Sequence, residues 1–240
     1  MLLGNDILVF DITGNHAHFK TFDSNSSSLT YYFPPRTTLA GMVSSILAGD
    51  YLDFIKPNTY QEHFYLDKAK FGLKVLNKPR IVNMGFNYLM KNKPGHTQIN
   101  KEVLFPEKDK ITYRIYITHK DKELLDILER KIKEQRFGYG LALGQKQYIA
   151  YATFIERLVY KDFEIIDDFE GELDTSIIPQ NEVLNYFKNS SSRYMMPLVL
   201  NEKRECLKTG LILYDDNGLN GKFKKILKIG DKKISFYSKI

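Results

Sequence analysis

Tryptophan is absent and cysteine occurs once, as Cys206. A single thiol excludes an internal disulfide, so the fold must be held by a packed core. No apolar run approaches the ~20 residues of a membrane span. Asp6 and Asp11 interrupt the only apolar stretch near the N-terminus, which argues against a signal peptide. A cytoplasmic protein with no membrane partner is expected. Catalytic signatures are missing too: there is no CxxC, no HExxH, no GxxxxGK[ST] and no acidic pair spaced for a metal. The expected complement of cofactors and metals is therefore none. Repeats and low-complexity tracts are also lacking, apart from serine-rich loops at 24–28 and 190–192.

A chain of 240 residues can bury roughly 70 to 75% of its unfolded surface, so one large domain or two small ones are possible. Net charge is +6 and the pI is about 9.1. The charge is unevenly spread, which is more informative than its sum. Between Lys78 and Lys120 the cations Lys78, Arg80, Lys91, Lys93, Lys101, Lys108, Lys110, Arg114 and Lys120 face only Glu102, Glu107 and Asp109. From Asp162 to Glu182 every charged residue is acidic, and the tail from Lys222 to Lys239 is basic again. Such an acidic stretch reads as a linker, a protein-facing edge or a solvated loop.

The run Ile7-Leu8-Val9-Phe10, ended by Asp11 to Gly14, predicts a central strand over about Asp6 to Thr13. After Pro34-Pro35, the spacing of Leu39, Met42, Val43, Ile46 and Leu47 predicts a helix from Thr38 to Ala48, capped by the hydroxyl of Thr37 or Thr38. Gly41 costs about 1 kcal/mol in such a helix and suggests a close packing contact or an approaching ligand. Strand-like segments follow near 63–76, 80–89 and 112–118. A helix starting near Asp121 carries Leu124, Leu125, Leu128 and Ile132 on one face, with Arg130, Lys131 and Lys133 toward its C-terminal end. A strand near Tyr148 to Glu156 comes next. Strand, helix, strands, helix, strand is the order of a ferredoxin-like domain with an inserted hairpin. Short β-like runs at 198–200, 210–214, 223–229 and 233–237 predict a small β-rich C-terminal part. The fold class is α+β, divided into residues 1–157, with a hairpin over about 80–112, and residues 158–240.

The segment from Phe10 to Met42 resembles the Cas5 proteins of CRISPR surveillance complexes, within the repeat-associated mysterious protein (RAMP) superfamily. The likeness is carried by a strand ending in Asp11 and Gly14, a His16-Ala17-His18-Phe19 loop, and Tyr31-Tyr32-Phe33-Pro34-Pro35 leading into a glycine-containing helix. His96-Thr97-Gln98, with Val103-Leu104 before Tyr113-Arg114-Ile115-Tyr116-Ile117, looks like the same family's hairpin and following strand. Beyond Phe154 the resemblance is faint, resting on Arg193-Tyr194-Met195-Met196-Pro197.

The resemblance implies an RRM-like ferredoxin domain whose hairpin is a thumb set against the 5′ end of a guide RNA. It implies a non-catalytic subunit of a type I Cascade complex in antiviral defence, most like type I-B, that holds the crRNA 5′ handle. The implied partners are the crRNA, a Cascade backbone subunit and the large subunit, with target DNA reached indirectly. The expected RNA contacts are His16, His18, Lys20, Tyr31 and Arg36 around the handle, and Arg80, Met84, Lys91, Lys93, His96, Gln98 and Lys101 on the hairpin. Independently of the family, Met84-Gly85-Phe86-Asn87-Tyr88 beside lysines suits stacking on splayed bases at roughly 1 to 3 kcal/mol per base, with cations neutralising phosphates.

Three further readings compete. The run Phe137-Gly138-Tyr139-Gly140-Leu141-Ala142-Leu143-Gly144 follows a helix, whereas a dinucleotide fingerprint follows a strand. It instead resembles a loop beside the family's RNA face, or a plain turn. One branch of the family cleaves repeat RNA without metal through a tyrosine, a lysine and a histidine. Here His119 and Lys120, with Tyr139 or Tyr31, are the candidates for that endoribonuclease alternative. A protein-interaction scaffold without RNA contact would use the acidic segment but leave the basic hairpin without a role.

Overall fold

The computed structural model describes residues 6–22, 28–52, 60–89, 94–187 and 191–240. Lys91 and Lys93, both expected to contact RNA, lie outside the described residues. The elements in chain order begin with β1 Ile7–Gly14, β2 Phe19–Lys20, β3 Thr30–Tyr31, α1 Arg36–Leu47 and α2 Tyr60–His63. They continue with β4 Ala69–Asn77, β5 Pro79–Leu89, β6 His96–Pro106, β7 Ile111–His119, α3 Lys122–Glu134 and β8 Ala150–Leu158. The rest is β9 Phe163–Glu172, β10 Ile177–Pro179, β11 Val183–Tyr186, β12 Ser192–Leu200, β13 Cys206–Tyr214, β14 Asn220–Ile229 and β15 Lys232–Ile234. The class is α+β, dominated by strand.

The main sheet runs β4-β7-β1-β8 and is antiparallel throughout. Phe10 lies opposite Ile115 on one side and Phe154 on the other, so β1 is the interior strand its apolar run predicted. Its Ile7, Leu8, Val9 and Phe10 are fully buried, as a strand covered on both faces requires. Both long helices fall where the periodicity placed them. Asp121 caps α3, its side chain accepting the Glu123 N–H at 2.9 Å, and Gln135 closes it in the left-handed conformation.

The cap expected for α1 is not formed. That helix starts two residues earlier, behind Pro35, whose carbonyl takes the Thr38 and Leu39 N–H groups at 2.9 and 3.0 Å, and no side chain caps it. Pro35, with φ −55, sets the entry angle in place of a hydroxyl. Gly41 is only partly buried, so it does not mark the helix's most intimate contact.

The acidic segment is not a linker. Residues 163–172 form β9, which pairs along β14, so the acidic stretch and the basic tail are adjacent strands. Asp167 opposes Lys225 and Glu164 opposes Lys228, each with a 3.4 Å ion pair. The alternation of charge along the chain thus resolves into cross-strand pairs.

The later segment closes onto the open edge of β4. Tyr237 N donates to Phe71 O at 2.9 Å, Ser176 N to Leu73 O at 2.8 Å, and Val75 N to Ser176 Oγ at 3.0 Å. Ile177, Met196, Leu198, Ile212, Tyr214 and Tyr237 join the same hydrophobic cluster as Phe10, Phe33, Leu39 and Ile115. A second, smaller cluster of Leu173, Leu213, Phe223 and Ile226 lies within the later segment itself. None of the described helices is long and apolar enough to cross a membrane.

Candidate nucleic-acid interface

Among the described residues β5 and β6 pair as a ladder only with each other, from Pro79–Pro106 at the root to Leu89–His96 near the tip. The root is buried through Val103 and Leu104, which joins Ala17 by a pair of backbone hydrogen bonds at 2.8 and 3.1 Å. The outer half is exposed on both faces, which makes it an arm rather than part of the body. Because direct cross-strand neighbours share a face, the register sorts its side chains. Met84, Phe86, Tyr88, Ile99 and Lys101 lie on one face with Arg80 at the root. Asn83, Gly85, Asn87, Gln98 and Asn100 lie on the other. Met84 and Tyr88 are 37% and 47% exposed, and the Phe86 and Tyr88 rings sit 6.4 Å apart. Arg80, His96 and Gln98 are also exposed.

Cations gather at the arm's root. Among the described residues Lys20, Arg80, Lys108, Lys110 and Lys146 are exposed and lack an ion-pair partner. Of the other described basic residues in this segment, Lys78 pairs with Asp216 at 2.8 Å, Arg114 binds both oxygens of Asp11 at 2.8 and 3.0 Å, and Lys120 lies 3.5 Å from Asp67.

Four expected RNA contacts are instead internal. Arg36 is 1% exposed, and its guanidinium donates to the carbonyls of Leu198 (2.8 Å), Ala69 (3.0 Å) and Phe64 while lying 5.5 Å from the Phe71 ring centre. Burial lowers its pKa to about 9, which leaves it cationic at neutral pH. Tyr31 is buried and its hydroxyl donates to Met195 O at 2.7 Å. Together Tyr31 and Arg36 cap carbonyls of the edge strand β12, which explains their burial: an unpaired edge needs donors.

His18 is buried as well. Its Nδ1 bonds Glu102 O at 2.7 Å and its Nε2 meets Ser28 Oγ at 3.2 Å. Desolvation, with Lys101 and Lys20 nearby, outweighs the Glu102 bond and lowers its pKa, so the ring is a neutral strut. Lys101, 4% exposed, reaches Gln145 Oε1 and lies 5.5 and 5.1 Å from the ring centres of Phe86 and Tyr148. It ties the arm to the loop before β8. His16 keeps partial exposure and packs edge-on against Phe105 at 4.4 Å.

The glycines of the 137–144 run have mostly steric causes. A Cβ at Gly138 would fall 2.0 Å from Ala48 O, and one at Gly144, with φ +91, would fall 2.0 Å from His18 O. Only Gly140 faces open space. The loop therefore docks against the end of α1 and the histidine loop through close backbone contact.

The candidate catalytic residues differ in exposure. His119 is buried: its Nδ1 accepts the Asp121 N–H at 3.0 Å and its Nε2 lies 2.7 Å from His63 O, which places the proton on Nε2 and uses both nitrogens. Lys120 and Tyr139 are exposed. The tyrosine beside this histidine is Tyr51, which no sequence signal singled out; its hydroxyl donates to Asp121 and its ring stands edge-on to His63 at 6.0 Å. Burial, together with hydrogen bonding to the Asp121 carboxylate, raises its pKa. Among the described residues no cluster could hold a metal ion.

A family model described as CRISPR-associated protein (Cas_Cas5) matches residues 7–205. A CRISPR protein from Archaeoglobus fulgidus superposes with a TM-score of 0.59 at 14% identity, covering 97% of this chain and 100% of the other. A chain of a type III-B Cmr-beta complex bound to cognate target RNA and AMPPnP superposes with a TM-score of 0.54 at 12% identity, covering 89% of this chain and 86% of that one. At such identities the likeness is one of fold. No curated protein sequence matches the chain.

Proposed function

The chain belongs to the CRISPR-associated Cas5 family, and from that premise we propose that it is a non-catalytic subunit of a type I CRISPR effector complex of the Cascade kind, most like type I-B, that holds the 5′ handle of the guide RNA. The observation that carries this reading is the β5–β6 arm, with Met84, Phe86 and Tyr88 displayed above a root of unpaired cations. Cations release counterions from phosphates, while the exposed Tyr88 ring and the half-buried Phe86 ring offer platforms for unstacked bases. The β1-α1-β4-β7-α3-β8 order and the β4-β7-β1-β8 sheet support a ferredoxin-like RAMP domain with the arm as its thumb. His16, Lys20, Arg80, Met84, His96 and Gln98 remain accessible for contact. A backbone subunit would meet the arm and the large subunit would dock beside it, so target DNA would be reached through them.

One observation favours a second reading, a metal-independent repeat endoribonuclease: Tyr51, His63, Asp121 and His119 are gathered at one place with Lys120 next in the chain. The engagement of both His119 nitrogens counts against it, because a buried ring held at both nitrogens by main-chain groups presents neither to a substrate. One experiment separates the readings. Purified protein is incubated with end-labelled CRISPR repeat RNA in EDTA, and a cleavage gel and a binding shift are run from the same tubes. An intact RNA shifted through its 5′-handle portion is the expected result, whereas a discrete cut lost in Tyr51→Phe would replace it with the nuclease reading. With roughly six phosphates neutralised, affinity should fall about 10² to 10³-fold between about 50 and 200 mM salt. Affinity indifferent to salt would overturn RNA binding.

A further inference from the structure

Away from the arm, three cations meet where the later segment closes over β4, and among the described residues none of the three has a carboxylate partner. Lys70 stands at the end of β4 opposite the arm's root. It shares a strand face with Gly72, where a Cβ would fall 2.8 Å from Ser235 O, so residues 235–239 cover it. The lysine is 9% exposed. Its ammonium donates to Lys239 O and lies 3.4 Å from Ser238 Oγ. Arg36 ties this place to β12. It donates to Ala69 O, next to Lys70, and to Leu198 O, next to the Val199 that pairs with the exposed Lys208. The ion pair found on the covering segment joins Lys239 to Glu182 at 3.2 Å and leaves Lys70 unneutralised. Burial first, then the Arg36 and Lys208 charges, lowers the pKa of Lys70. Burying a charge without a counter-charge is costly, so a site where two buried cations and an exposed one converge favours an anion from outside the chain.

We propose that Lys70, Lys208 and Ser238 form a binding site for a small oxyanion of the phosphate class. An ammonium carries three protons; two of those on Lys70 are directed at Lys239 O and Ser238 Oγ, and the third has no acceptor among the described residues. The Ser238 hydroxyl, taking that bond through its oxygen, has its own proton to give. A tetrahedral oxyanion accepts several charge-assisted bonds at once, which suits such a set of donors. The burial of Lys70 selects a compact ligand over a polymer, with Lys208 marking the side open to solvent. The bound ion would fasten the covering segment, whose Tyr237 N–H already donates to Phe71 O, onto the edge of β4. This inference does not depend on the arm binding RNA.

The test is calorimetric titration of the whole protein with inorganic phosphate, at an ionic strength held constant with sodium chloride. Wild type is expected to show a single saturable site. Lys70→Met, which keeps the apolar stem and removes the charge, should weaken binding about 10-fold or more. Lys208→Ala, at an exposed position that leaves the fold intact, should weaken it about 3-fold. Adenosine monophosphate titrated in parallel names the source: tighter binding than inorganic phosphate supports a phosphate monoester, and equal or weaker binding supports the free ion. Absence of saturable uptake by wild type would overturn the site, as would uptake that both variants retain unchanged, which is a general salt effect. If Lys70→Met fails to fold, Lys208→Ala decides alone, and unchanged affinity there overturns the site. Displacement of the phosphate by a short single-stranded RNA would place these cations on a nucleic-acid path and overturn the small-ligand reading.

Discussion

Arg36→Ala offers a decisive measurement, because sequence and structure assign the residue opposite roles. On an RNA surface, its loss would weaken binding and leave stability alone. In the structure it is 1% exposed and supplies donors to three carbonyls, on β12, on β4 and on the segment between α2 and β4. Truncation leaves three buried acceptors without donors, at about 1–3 kcal/mol each if none recovers a partner, together with a cavity beneath α1. Against this stands the relief of an uncompensated buried charge, the same desolvation that lowers the arginine's pKa. Water entering the cavity would satisfy some carbonyls, so a net loss of about 4 kcal/mol is a reasonable expectation. That is a large part of the roughly 5–15 kcal/mol typical of a domain. For a chain of this size it corresponds to a fall in Tm of roughly 8–16 °C. Thermal melts followed by near-ultraviolet circular dichroism, which the 16 tyrosines make possible, read it directly. RNA affinity, measured well below the variant's Tm, should stay within about 2-fold of wild type. Arg36→Met, which refills the volume without the charge, should lie between. An unchanged Tm with a tenfold loss of affinity would refute the structural role.

Three other outcomes are expected. Burial holds the His18 ring below its ordinary pKa of 6.5, so the unfolded chain takes up a proton that the native state refuses; its share of stability is present above pH 6.5 and is lost as pH falls below it. Urea midpoints between about pH 8 and 5 should therefore fall less steeply in His18→Gln, and identical slopes would reject the neutral strut. Lys101→Met should loosen the arm, read as faster proteolysis between residues 80 and 100, without lowering the salt slope of RNA binding; a slope reduced by about 0.7 would make Lys101 a phosphate contact. Gly138→Ala should cost at least about 2 kcal/mol, because its Cβ would collide with Ala48 O, while Gly140→Ala should stay within about 0.5 kcal/mol. Equal effects at the two glycines would undo the steric account.

Much of the architecture is legible locally. The run 7–10, the 3.6-residue spacing from Leu39 to Leu47 and the apolar spacing of a helix that starts near Asp121 each carry their own instruction, and each is realised within two residues of its reading. Alternation in 84–88 likewise sorts the arm's faces without knowledge of what it packs against. The candidate site is less legible. Arg36, Tyr31, His18 and Lys101 have the side chains of RNA ligands, and nothing nearby in sequence tells an exposed arginine from one that caps a strand edge about 160 residues away. Tyr51 was passed over for the same reason: its partner Asp121 lies 70 positions on.

By itself the sequence determined what depends on neighbouring residues: the strands and helices, the family likeness and the presence of a basic, aromatic hairpin. Only the tertiary structure decided what depends on distant residues meeting. It turned the acidic and basic runs into paired strands, because opposite charges across a ladder attract. It also moved four polar side chains from the expected RNA surface into the interior: Tyr31 and Arg36 because the buried edge of β12 needs donors, and His18 and Lys101 because they tie β6 to the loops beside it.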